Sequence, residues 1–338
     1  MKPAPPGPIL LHRADLISRD REAVSALLTA DAGSISPWVE RWEAAWAALW
    51  SRPAVAFVST TAALGALGDV LAWPSGAAVL ADPFLEPAWR ESLAAVWLHA
   101  VWLDVDPAGA VLRPGPPRSP PHAGPIIAQF CRHPHGLPTP ASARLHPWVL
   151  EEVSPLVRPL PGSGWGEVQL LAFDGNRILP AGPGAVVLSR DAHLVAALKG
   201  ARRSFPCAAA CALGLALLER LEDRLERRAR LAEAYLGLRT RGRLQLPHVP
   251  PEGRGWEGFV LSLADVADRD DLGRFLRRSA IGAASPHWYR LPAGVEALPG
   301  VAQRLQRELA IPLYASLDPG QQKRVINRIH RWVERHRP

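Results

Sequence analysis

The stretch richest in chemical information runs from Leu171 to Val187, LAFDGNRILPAGPGAVV. At its centre stands Arg177. A guanidinium keeps its proton in proteins and its lone pairs are delocalised, so it binds carboxylates and other anions but does not attack a carbonyl. Two carboxylates, Glu151 and Glu152, end an apolar run upstream. Glu152 or Asp174 is the partner expected for a buried Arg177, because an unpaired buried charge is costly and a bidentate carboxylate offsets much of that cost. The competing reading is that Arg177 holds an external anion. His133-Pro-His135 has a His-x-His spacing, but no third or fourth ligand follows at a set interval, so no metal is expected. Ser59-Thr60-Thr61 opens a helical run. Free N–H groups there favour an anion, and the same residues are ordinary N-caps.

The elements that would position these groups are readable from periodicity. Residues 20–50 read as two helices, with Trp38, Trp42, Ala45, Trp46 and Leu49 at helical spacing. Short apolar runs at 54–58, 77–80, 101–106, 126–130 and 149–152 read as strands. Helices are expected at 62–71 and 88–96, and a Pro/Gly-rich surface loop at 107–124. A long helix is expected over 208–239, with Leu213, Leu217, Leu221 and Leu225 as an apolar stripe and the mixed charges as a solvated face. Cys207 and Cys211 fall on this helix as core packing. A strand at 256–263, a helix through 269–278 and a last helix at 321–333 complete the chain. Alternating strands and helices imply an α/β fold with a mostly parallel sheet. No internal repeat is seen.

Taken together, the segments resemble the DegT/StrS family of sugar aminotransferases, which use pyridoxal phosphate (PLP). Phe173, Gly175, Asn176, Gly182 and Gly184 fall on that family's cofactor-anchoring pattern, with Arg177 where its Schiff-base lysine stands. Ala62, Ala63, Leu64 and Leu67 follow its phosphate-binding turn, and Leu309 to Tyr314 follows its L-x-L-P-x-Y. The resemblance implies a fold-type I transferase with a large domain at 1–238 and a smaller C-terminal α/β domain at 239–338. It implies a homodimer with the active site at the interface. It implies cofactor contacts from Ser59, Thr60, Thr61, Phe84, Glu152 and Ala172, with Phe84 as the ring over the cofactor and Glu152 facing its pyridinium nitrogen. Catalytic roles would fall on Arg177, by position, and on His133 as a base. Five positions depart from the pattern: Thr60, Glu152, Pro155, Ala172 and Arg177. A loop before the 208–239 helix, which reaches the partner's site in the family, is missing or very short. Of the three lysines, Lys2, Lys199 and Lys323, none is an obvious replacement.

Composition narrows the rest. The 338 residues are 48% hydrophobic, enough for a sizeable core, and no apolar run reaches the length of a membrane span. The formal charge of +7 comes from 36 arginines scattered among glutamates, without a nucleic-acid motif, so neither nucleic acid nor membrane is an expected partner. The Pro-rich start lacks an apolar signal core, and three cysteines without metal-ligand spacing fit a reducing compartment, so a cytoplasmic location is expected. Three functions compete. One is a homologue that no longer transaminates, tied to nucleotide-sugar or polysaccharide synthesis, with no covalent cofactor. Another is an enzyme using non-covalent PLP or its aminated form (PMP), such as a sugar dehydratase with His133 as base. The third is an aminotransferase with an unrecognised lysine.

Overall fold

Seven short apolar stretches pair into one sheet because each has few polar side chains to expose on either face. They are β1 (Ala54–Phe57), β2 (Ala78–Ala81), β3 (His99–Trp102), β4 (Ile126–Arg132), β5 (Val149–Glu152), β6 (Val168–Ala172) and β7 (Ala185–Ser189). The order is β1-β7-β6-β5-β4-β2-β3, and β7 alone runs against the others. The computed structural model describes residues 7–29, 36–106, 123–175, 177–251, 253–287 and 291–336. The loop expected at 107–124 lies almost wholly outside the described residues, as do Asn176 and Lys2.

Helices cover both faces of this sheet. On one face, α3 (Thr60–Val70), α4 (Pro87–Ala95) and α5 (Ala192–Ala201) bury Leu64, Leu67, Trp89 and Leu198 against strand residues such as Val55, Val79 and Leu170. On the other, α2 (Ser36–Trp50) places Trp42, Trp46 and Trp50 at four-residue spacing against Ala56, Leu171 and Val186. Helix α1 (Ser18–Thr29) packs on α6 (Ala208–Leu218). A second, three-stranded antiparallel sheet has the order β10 (Glu308–Ile311), β9 (Phe259–Leu263), β8 (Leu244–Gln245). Its core is closed by α7 (Leu221–Leu236), α8 (Val266–Arg278) and α10 (Pro319–Arg335). A short helix, α9 (Pro299–Arg307), connects this unit to the large sheet. The α/β class and the mostly parallel sheet are as expected from sequence.

Three local readings are corrected. The run at 208–239 is two helices, not one. The chain turns at Glu219–Arg220, where Arg220 Nη2 lies 2.6 Å from both oxygens of the buried Asp20 carboxylate. Helix α6 thus stays on the large sheet while α7 leaves it to deliver Leu231 and Tyr235 to the second core. Cys207 is an exposed N-cap rather than core, whereas Cys211 is buried. The strand expected at 101–106 ends at Trp102, because Asp104 turns away to cap α9, accepting from the N–H groups of Gly300 and Val301 at 3.0 and 3.1 Å.

The segment before α1 closes the molecule. Ile9 bridges to Ile281, and Asp15 accepts from the N–H groups of Ala315 and Ser316 at 2.6 and 3.1 Å.

Gly214 lets α6 approach α2. A Cβ there would stand 2.6 Å from the ring of Trp42, a contact no side chain tolerates without movement. Ala is the better helix former by about 1 kcal/mol, but overpacking a tight core costs about 1–3 kcal/mol. Gly214→Ala is therefore expected to lower stability, read as an earlier midpoint in urea at unchanged slope.

Candidate functional site

Arg177 sits in the link between β6 and β7, and its placement begins with Phe173. That ring packs 5.1 Å from Trp42 and 5.4 Å from Trp46. Gly182, at φ 106°, turns the link back toward β7 and donates its N–H to the Phe173 carbonyl at 3.0 Å. Between them the Arg177 N–H reaches the Asp174 carbonyl at 3.1 Å, and the side chain points inward with 4% exposure.

Three carboxylates hold the guanidinium. Nε lies 3.1 Å from Asp174, Nη1 3.1 Å from Glu257 and Nη2 3.4 Å from Glu152. Glu86, the N-cap residue of α4, adds its charge from the other side of a cavity of about 330 Å³. Burial alone would lower the Arg177 pKa, but Glu152, Glu86, Glu257 and Asp174 together hold it well above its ordinary value. The acids are strained in return. Burial pushes Glu257 up to about 7 against the pull of Arg177, and pushes Glu86 upward as well. Both oxygens of the fully buried Glu152 accept no hydrogen bond among the described residues, because the 3.4 Å approach to Arg177 lacks hydrogen-bond geometry.

Two residues of α7 brace this arrangement. Arg224 donates to the carbonyls of Asp15 and Ile178, beside Arg177, and Arg228 to those of Trp256 and Glu257. Their four-residue spacing places them on one helix face. Both are buried, contrary to the solvated face expected for these charges. Glu86, Glu257, Arg224 and Arg228 were not legible as site residues. Only the i, i+4 arginines beside the leucine stripe carried a signal.

The other residues singled out from sequence fall in different places. Ser59 is an N-cap, accepting from the Ala62 N–H at 3.1 Å. Thr60 and Thr61 turn their hydroxyls to Ser92 Oγ, at 2.8 and 2.9 Å. Ala172 ends β6 and donates its N–H to Ser154 Oγ. Phe84 is buried, with His287 stacked 3.8 Å from its ring and the Arg304 guanidinium 4.8 Å away. His133 does not join Arg177. Its Nδ1 accepts from the Thr139 N–H at 2.9 Å, and its Nε2 meets Glu151 at 2.9 Å. Glu151 likewise faces away from Arg177, as adjacent strand residues must if Glu152 faces it, and accepts from Gly164, Gly166 and Gln169. Lys199 pairs with Glu43 and Lys323 is exposed on α10, so no described lysine lines the cavity.

Glu257 makes a pH test available. Its raised pKa means the folded chain binds more protons than the unfolded chain between about pH 4.5 and 7, so its contribution to stability falls as pH rises through that window. Glu257→Gln, which keeps an oxygen toward Arg177, is expected to flatten that slope. Urea midpoints at pH 5 and pH 8 for both proteins check it.

Comparison with known proteins follows the same outline. Residues 207–330 match the model of the DegT/DnrJ/EryC1/StrS aminotransferase family. The whole chain has the fold of solved aminotransferases. Against the aminotransferase TlmJ from Streptoalloteichus hindustanus the TM-score is 0.81 at 22% identity, over 97% of this chain and 100% of that one. Against NtdA from Bacillus subtilis, solved with the cofactor PMP bound, it is 0.83 at 15% identity, over 99% and 87%. Against PseC from Helicobacter pylori, an aminotransferase involved in the biosynthesis of pseudoaminic acid, it is 0.81 at 14% identity, over 97% and 100%. No curated protein matches the chain in sequence. Among the described residues, no helix is long and apolar enough to cross a membrane.

Proposed function

We propose that this chain is a sugar-aminotransferase relative that does not transaminate, because its cofactor cavity is closed by its own ion-pair cluster. The observation that carries this reading is Arg177 itself, at the lysine position and held by Glu152, Asp174 and Glu257. The residues present do not fit a covalently held PLP. An arginine supplies no amine to condense with the aldehyde. The hydroxyls of Thr60 and Thr61 are engaged by Ser92, and the ring of Phe84 is covered by His287. A nucleotide diphosphate on Arg177 is also disfavoured, since four carboxylates already surround that charge.

One observation favours a second reading, non-covalent PMP. Glu152 has two buried oxygens that accept no hydrogen bond among the described residues, as a protonated ring nitrogen would require. His133 offers that reading no base, because both of its nitrogens are engaged. The kinship with PseC supports a place in nucleotide-sugar or surface-polysaccharide synthesis, with a nucleotide sugar as ligand. A cytoplasmic homodimer without membrane or nucleic-acid partners completes the proposal.

Borohydride reduction followed by intact mass tests the first reading. The expected result is no gain, and a phosphopyridoxyl increment on any lysine would overturn it. A rise in melting temperature with PMP, lost in Glu152→Ala, would instead select the second. Arg177→Lys alone is expected to give no transamination of a keto-sugar nucleotide with glutamate, since misplacement of about 1 Å costs on the order of a hundredfold. Arg177→Ala leaves the buried acids uncompensated and is expected to lose about 3–5 kcal/mol of stability, measured by urea unfolding at pH 8. An unchanged midpoint together with loss of stabilisation by a nucleotide sugar would make Arg177 a ligand-binding residue rather than a structural one.

A further inference from the structure

Away from the Arg177 cluster, three donors from distant parts of the chain converge. His135 lies in the turn after β4, His287 precedes a short link to α9, and Glu308 begins β10. One ligand atom from each lies within 4.8 Å of the other two. We propose that His135, His287 and Glu308 form a binding site for a divalent transition metal, with Zn²⁺ the best match. The third ligand that the His-x-His spacing lacked in sequence is thus supplied by the fold, and His133 is not part of it.

The geometry supports the assignment at each position. His135 holds a left-handed backbone, φ 53° and ψ 28°, which is uncommon for a residue with a Cβ. The turn is fixed there by Gly136, whose carbonyl accepts from the Gly255 N–H at 2.7 Å and whose missing Cβ would strike the Trp256 nitrogen at 2.6 Å. The result is a ring whose Nε2 is buried without a hydrogen bond among the described residues. Native structures rarely leave such an atom unpaired without a reason, and a bound cation is one. Opposite it, His287 Nε2 is 2.6 Å from Glu308 Oε2, and stacking on Phe84 fixes the ring plane. Arg304 holds the carboxylate through Nε at 2.7 Å, as an outer partner that orients a ligand.

The donor set selects the metal. Two imidazoles and one carboxylate suit zinc and its neighbours rather than calcium or magnesium, which take oxygen ligands. Bonds of about 2.0–2.1 Å set donors on one tetrahedral ion about 3.3 Å apart, so a metal would replace the 2.6 Å contact of His287 with Glu308, parting those two atoms, and would draw the His135 ring inward. A cavity of about 230 Å³ bordered by His135 and Glu308 gives access and room for a fourth ligand. The same cavity is bordered by Arg254, which has no carboxylate partner among the described residues, and by Arg304. An anion is therefore the rival occupant.

The test uses the full-length protein stripped with a chelator. Titration with Co²⁺ is expected to give the visible d–d bands of a four-coordinate site, saturating at one equivalent and displaced by Zn²⁺. His135→Ala is expected to weaken Zn²⁺ at least about tenfold, while the metal-free melting temperature stays unchanged because Nε2 has no hydrogen bond to lose. Glu308→Gln keeps an oxygen for Arg304 but removes the charge, and should weaken Zn²⁺ as well. Absence of one-to-one binding, or equal affinity in both variants, overturns the proposal. So does a melting temperature raised by inorganic phosphate and not by Zn²⁺, with the effect lost in Arg254→Ala.

Discussion

A positive charge that cannot be neutralised and is almost wholly buried organises the centre of this protein. A guanidinium does not escape burial by losing its proton, as a lysine can. Once Arg177 lies between β6 and β7, the surrounding chain has to bring carboxylates to it. Asp174 comes from the same turn, Glu152 from the neighbouring strand, Glu86 from the start of α4 and Glu257 from the approach to β9. The cluster therefore gathers the large sheet and the small one around a single cation. The cost falls on the acids, whose negative charges outnumber the one they surround. Glu257 and Glu86 hold their protons more tightly than exposed carboxylates would.

The strand β5 shows how little separates a site from a scaffold. Glu151 and Glu152 are adjacent, yet the pleat sends them to opposite faces. Glu151 satisfies its oxygens with His133, two backbone N–H groups and a glutamine amide. Among the described residues Glu152 meets only a guanidinium held slightly too far away. One carboxylate is fixed by a complete network and the other keeps unmet bonding capacity, which is where a ligand would find something to gain.

Five of the seven strands of the large sheet were legible as short apolar runs separated by helices of clear period, and most of their residues are buried. Arg177 was legible as a residue that must find acids, and two of its partners, Glu152 and Asp174, were close enough along the chain or in the strand order to name. Glu257 and Glu86 were not, because only tertiary folding carries them to the cavity. The break at Glu219–Arg220 escaped notice for a related reason. The helical period continues through it, and only the buried Asp20 explains the turn. His133 and His135 illustrate the limit of spacing alone. Two histidines one residue apart invite a joint role, but the left-handed turn at His135 sends the rings to separate neighbourhoods.

The closing strap has a consequence for how the chain is made. Ile9 and Asp15 leave the ribosome about 270–300 residues ahead of their partners at 281 and 315–316. At synthesis rates of about 5–20 residues per second, the early segment waits on the order of 15–60 s for something to bind. During that interval Asp15 has no backbone N–H groups to accept, and the face it later covers is still unmade. The strap is thus a late event of assembly, a latch that shuts only once residues 281 and 315–316 have been made. A chain that stalls before residue 315 leaves the latch open.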